Sequence, residues 1–82
     1  MKVRLFAALR EIAGSSLVDV EPSDAADAAS LVAALSARYG EEFGRVARAG
    51  AVVVNGERVG PGRRLGPADD VTLLPPVSGG SA

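Results

Sequence analysis

Apolar and polar residues alternate from Lys2 to Ala8, KVRLFAA, with Val3, Leu5 and Ala7 on one side and Lys2, Arg4 and Phe6 on the other. That period of two predicts a half-buried strand. Arg10 to Gly14, REIAG, reads as a turn. Ser16 to Glu21, SLVDVE, is a second short strand with Leu17, Val18 and Val20 as its apolar residues, ended by Pro22, which lacks an N–H for the ladder. The two strands predict a hairpin with a connection longer than the tightest type.

From Asp24 the period changes. Ala28, Leu31, Val32, Leu35 and Tyr39 fall on one helical face. Asp27, ahead of Asp24, is the expected N-cap, and Gly40 suits a left-handed C-cap. A short helical turn is expected at Glu41 to Arg48. Ala51 to Val54, AVVV, is a β-branched strand, and Asn55-Gly56 predicts a tight turn into Glu57-Arg58-Val59. Gly60 to Asp70, GPGRRLGPADD, reads as loop, and Val71 to Leu74 is a final strand stopped by Pro75-Pro76.

This order predicts an α+β, two-layer fold: a mixed sheet covered on one face by one main helix. Residues 1–76 form the expected domain and residues 77–82 a flexible C-terminal tail. The chain has 82 residues, enough for one modest core, since a chain of this size buries only about 60–65% of the surface it exposes when unfolded.

Charge and missing residue types narrow the function. Nine basic and ten acidic residues leave a formal charge of −1, with no basic excess to neutralise a row of phosphates, so nucleic-acid binding is not expected. The apolar start is interrupted by Arg10 and Glu11, and no run reaches the length of a membrane span, so a cytoplasmic protein without a membrane role is expected. There is no cysteine and no histidine, which removes the thiol nucleophile, the usual metal ligands and the common neutral-pH base. An independent enzyme is therefore not expected, nor a metal site at Asp69-Asp70. Arg63-Arg64, beside Arg58, read as solvated charges or as a grip for an acidic partner.

If the helix covers one face, parity sends Val3, Leu5, Ala7, Val52, Val54, Val71 and Leu73 to the core. Arg4, Phe6, Val53, Thr72 and Leu74 remain on the open face, where uncovered Phe6 and Leu74 are a candidate partner surface. Beyond it, Pro75 to Gly80 drawn out as polyproline II would carry Gly80 about 19 Å from the sheet. Gly79-Gly80 lack side chains and could thread a channel too narrow for a Cβ. The same composition also occurs at ordinary chain ends.

VRLFAALREIAG, VVVNGERV and DDVTLLPPVSGG, in that order and over nearly the whole chain, resemble the small subunit of molybdopterin synthase and the related ubiquitin-like sulfur carrier proteins. The resemblance implies a β-grasp fold and a carrier, itself non-catalytic, that works through its own C-terminus. In such carriers an adenylating enzyme uses ATP and magnesium to convert the terminal glycine carboxylate to an acyl-adenylate, and sulfur then displaces AMP to leave a thiocarboxylate. Carried over, Gly80 is the reactive residue and Gly79 the slender approach. Phe6, Val53 and Leu74, with Pro75 and Val77, form the docking surface for the activating enzyme and the large synthase subunit. Ser81-Ala82 follow Gly80 here, whereas the family's active form ends at the second glycine. The expected remedy is a peptidase cut between Gly80 and Ser81; adenylation of Ala82, added residues or an inactive relative are the alternatives. The sulfur could instead serve thiamine, cysteine or another thio-metabolite, or the chain could be a ubiquitin-like modifier of other proteins.

Overall fold

A computed structural model describes residues 1–76, and the readings made for Val77, Gly79, Gly80 and Ser81 lie outside the described residues. Lys2–Leu5 forms strand β1, with Val3 and Leu5 buried and Lys2 and Arg4 exposed, as the period of two predicts. The strand is shorter than expected. Ala7–Ala13 is a helix, α1, where a strand end and a turn were predicted. Its residues, AALREIA, are mostly strong helix formers, and the helical turn carries Leu9 into the core with Ile12 and Ala13 packed against it. Ala7 is consequently exposed instead of buried, and it opens α1 with a positive φ of 51°. Gly14 ends α1 in the left-handed conformation, its N–H donating to the Arg10 carbonyl at 2.8 Å.

Leu17–Asp19 is β2, antiparallel to β1, so the expected pairing forms although a helix occupies the connection. Val18 and Val20 point into the core, and Leu17 faces out. Helix α2 spans Ala28–Tyr39 and buries Ala28, Leu31, Val32 and Leu35, the predicted face. Its first-turn amides are all satisfied. Ala28 donates to the Arg63 carbonyl at 3.0 Å, Ala29 to the Pro61 carbonyl at 2.9 Å, and Ser30 to the Asp27 carboxylate at 2.8 Å. The Gly/Pro-rich loop is thus tied to the helix start, and Leu65 N–H completes the tie by donating to the Ala26 carbonyl at 2.9 Å.

Gly40 has the positive φ expected of a terminating glycine (107°), but its ψ of 168° lies outside the left-handed helical well. The reason is that the chain enters another helix at once. Glu41–Ala49 is a full helix, α3, longer than the predicted turn, with Glu41 and Glu42 in its first turn and Arg48 in its last, matching the helix dipole. It buries Phe43 and Ala47. Ala51–Val54 (β3) and Glu57–Val59 (β4) form the second hairpin, and both turn residues, Asn55 and Gly56, have positive φ as the primed turn requires. Val71–Leu74 is β5.

The sheet order is β2-β1-β5-β3-β4, with β1 and β5 parallel and the other pairs antiparallel. The mixed sheet is as expected, and its covering layer is α2 accompanied by α1 and α3. Val3, Leu5, Val54, Val71 and Leu73 are buried as parity assigned, while Val52 is partly buried against the core. No polar or charged side chain is buried among the described residues. Phe43, fully buried and 5.5 Å from the Tyr39 ring, is the largest core side chain. Phe43→Ala is expected to cost about 3–5 kcal/mol, a large part of a small domain's stability; urea unfolding followed by far-UV circular dichroism measures it.

Candidate functional site

The open sheet face is set by register. Arg4 of β1 stands opposite Leu17 on one side and Thr72 on the other, and Val53 stands opposite Thr72 and Arg58. One row across the sheet therefore reads Leu17, Arg4, Thr72, Val53, Arg58. In the next row Leu74 pairs with Ala51. Phe6 continues β1 with extended backbone (φ −123°, ψ 152°), so strand alternation puts it on the face of Arg4, one step beyond the Leu5–Leu73 pair and beside Leu74.

Phe6 and Leu17 are the exposed large apolar residues of the described chain, at 47% and 48%. Val53, Leu74 and Pro75 are partly buried. The structure thus brings Phe6, Val53 and Leu74 to one face of the sheet, Phe6 and Leu74 at its end and Val53 further in, and Pro75 follows Leu74 directly where the chain leaves β5. Val77, Gly79, Gly80 and Ser81 fall beyond the described residues. Leu17 was not assigned to this face from sequence, although Asp19, its polar neighbour two positions on, marks the outward side of LVD.

The polar groups near this face serve the fold. Arg4 reaches the Asp70 carboxylate at 3.2 Å, and Lys2 reaches Asp19 at 3.0 Å. Asn55 clips the second hairpin to the approach of β5: its N–H donates to the Asp70 carbonyl at 2.8 Å, its side-chain amide donates to Asp69 at 2.9 Å, and its side-chain oxygen accepts from Asp70 N–H at 2.9 Å. Asp69 also accepts from Gly66 N–H at 2.8 Å and meets Arg63 at 3.5 Å, so Arg63 has an internal partner. On the helix side, a groove of about 400 Å³ is lined by Ala28, Val32, Ala47, Gly50, Val52 and Val59 among others. Its lining offers arginines, Arg48 and Arg58, but no nucleophile or carboxylate.

At the base of the tail, β5 passes Gly50, the residue joining α3 to β3. A Cβ on Gly50 would stand 1.9 Å from the Leu74 carbonyl oxygen. Sequence reading had no means of seeing this, because a glycine after a helix is the common terminator.

A five-stranded mixed sheet with a central parallel pair of terminal strands, helices on one face and an open apolar face defines a ubiquitin-like β-grasp protein. The ThiS family model matches residues 3–80, and the chain belongs to that family. Its fold is that of the ThiS/MoaD-like, ubiquitin-like sulfur carriers. Among solved structures it is similar to small archaeal modifier protein 1 of Haloferax volcanii, with 30% identity, TM-score 0.69, and 95% of this chain and 96% of that one covered. It is also similar to a putative molybdopterin converting factor subunit 1 from Pyrococcus furiosus, with 27% identity, TM-score 0.77, and coverage of 93% and 95%. Small archaeal modifier protein 1 of Methanosarcina acetivorans shares the fold at TM-score 0.78 and 24% identity, covering 94% of this chain and 92% of that one. No curated protein matches. No helix among the described residues is long and apolar enough to cross a membrane.

The hydrogen bonds from Gly66 N–H and Asn55, with Arg63 nearby, hold the Asp69 carboxyl below its ordinary value near 3.8. A lowered folded-state pKa contributes stability that is complete above the unfolded value and is lost as pH falls through the folded one. Asp69→Ala is therefore expected to lower Tm by a constant amount from neutral pH down to about pH 5, with the gap from the parent closing below about pH 4. Thermal melts of both proteins across that range measure the effect.

Proposed function

We propose that this chain is a sulfur carrier whose main-chain carboxyl group, freed at Gly80, is the sulfur attachment point. The observation that carries the reading is that the family match runs through Gly80 while β5 delivers the chain toward that glycine from the edge of an exposed apolar face. A peptidase cut after Gly80 supplies the carboxylate, since a carbonyl held in the Gly80–Ser81 peptide bond has no free oxygen to attack a phosphate. The freed carboxylate attacks the α-phosphate of ATP on an activating enzyme, with magnesium, and pyrophosphate leaves. A sulfide-equivalent nucleophile then attacks the acyl carbon, AMP leaves, and a thiocarboxylate remains.

In this reading the folded body is a handle. Phe6, Val53, Leu74 and Pro75 dock on the activating enzyme and then on the acceptor, while Gly79 passes through a channel without room for side chains. The acceptor is the large subunit of molybdopterin synthase, a reading supported by similarity to the putative molybdopterin converting factor subunit. Thiamine, cysteine or another thio-metabolite are the alternative destinations. A second reading, a ubiquitin-like modifier joined to lysines of other proteins, is favoured by the full-length similarity to a small archaeal modifier protein. Lys2, the sole lysine, is exposed and ion-paired with Asp19.

Intact-mass measurement after incubation with the activating enzyme, ATP and a sulfur donor tests the carrier chemistry. The Gly80-ending form is expected to exchange one oxygen for sulfur and the 82-residue form to remain unchanged; exchange on the longer form with its tail retained would remove the cleavage step. Recovery of Gly80 in isopeptide linkage would favour the modifier reading. The docking face is tested separately: Phe6→Asp is expected to weaken capture by the activating enzyme about tenfold or more while leaving Tm close to the parent's, because Phe6 is already half exposed.

A further inference from the structure

We propose that Gly50 is a positioning residue that sets the direction in which the chain leaves β5, and hence where the C-terminal acyl group is presented. This rests on the carrier reading above and goes beyond it by assigning presentation to a residue distant in sequence from the tail.

The contact is backbone against backbone. A Cβ at Gly50 would lie 1.9 Å from the Leu74 carbonyl oxygen, 2.9 Å from the Leu74 carbonyl carbon and 2.8 Å from the Pro75 carbonyl carbon. None of these atoms can swing aside as a side chain would. The φ of Gly50 is −95°, outside the left-handed region, so close approach is what demands glycine here. The other glycine with a tight surround, Gly44, meets the side chains of Ser36 and Arg48, whereas Gly14, Gly40, Gly56, Gly60 and Gly62 have open space.

Neither side of the contact is free to yield. Gly50 N–H is shared between the Val46 and Ala47 carbonyls, both at 3.1 Å, at the end of a helix anchored by buried Phe43 and Ala47. The next residue, Ala51, pairs with Leu74. Downstream, Pro75 and Pro76 have restricted φ and no amide hydrogen, so a displacement at Leu74 is passed along the chain instead of being absorbed. A side chain at position 50 would require a shift of about 1.5 Å or more at the base to restore ordinary contact. Misplacement of about 1 Å at a reacting group costs about 10²-fold in rate.

The test uses the Gly80-ending protein in four forms: the parent, Gly50→Ala, the parent with two glycines inserted between Pro76 and Val77, and both changes together. Adenylation kinetics are followed by pyrophosphate release. Gly50→Ala is expected to lower kcat about 100-fold with KM changed by less than about threefold, because the docking face is intact. The insertion is expected to recover about tenfold of that loss in Gly50→Ala and to lower kcat in the parent, where it spoils a set geometry. Unchanged kcat in Gly50→Ala, a loss carried by KM, or a loss that the slack does not relieve would overturn the proposal.

If Gly50→Ala fails to fold, the insertion in the parent decides: lowered kcat supports the proposal and unchanged kcat overturns it. If the parent itself is not adenylated, the carrier reading fails, and the proposal is judged by Cα–Hα residual dipolar couplings of Pro75 and Pro76. Those couplings are expected to change in Gly50→Ala while Val3 and Leu5 keep theirs; unchanged values at the prolines overturn it.

Discussion

The parallel pairing of β1 with β5 in the middle of the sheet is the constraint on which the rest depends. Two strands from opposite ends of the chain run side by side in the same direction, so both finish at the same edge. Phe6, immediately after β1, and Leu74, the last residue of β5, are thereby neighbours on the open face, next to the point where Pro75 and Pro76 carry the chain away. A parallel pair cannot be joined by a tight turn. All the intervening elements form the crossover, and in crossing they lay α2 and its companions over one face and leave the other uncovered.

That crossover is held by apolar packing and by bonded helix ends, without buried charge. The core is Val3, Leu5, Leu9, Leu31, Leu35, Val71 and Leu73 around Phe43, and burial of such side chains is the dominant favourable term in folding. The loop between β4 and β5 would otherwise be a long unsupported segment. Its carbonyls at Pro61 and Arg63 cap α2, and Asp69 and Asp70 lock onto Asn55, so the chain enters β5 from a fixed place. Exposed ion pairs such as Lys2–Asp19 add little to this. The result is a stiff body with one apolar face and one emerging chain end, which suits a carrier that other enzymes grasp.

Most elements were legible because their signals are local. The helical period from Ala28 to Tyr39, the Asp27 cap and the Asn55-Gly56 turn each follow from short-range geometry, and each is present as read. The segment after Leu5 misled because two periods overlap there: Phe6 and Ala7 extend the strand alternation, while Leu9 and Ile12 belong to a helix that only the core rewards. Glu41 to Arg48 reads as only a short helical turn; the structure extends it to the full helix α3, in which the lack of a side chain at Gly44 admits Ser36 of the neighbouring helix.

The chain's order of residues was by itself sufficient for the five strands and helix α2, the apolar positions Phe6, Val53 and Leu74 of the open face, and the absence of thiol and imidazole chemistry, because periodicity and side-chain chemistry are properties of neighbours in sequence; helix α1 and the full length of α3 were not legible in it. Tertiary structure alone decided that Leu17 joins that face, that the loop carbonyls cap α2, and that Gly50 presses against the last residues of β5. Those are encounters between segments far apart along the chain, and no local pattern records which backbone atoms will meet when the sheet closes.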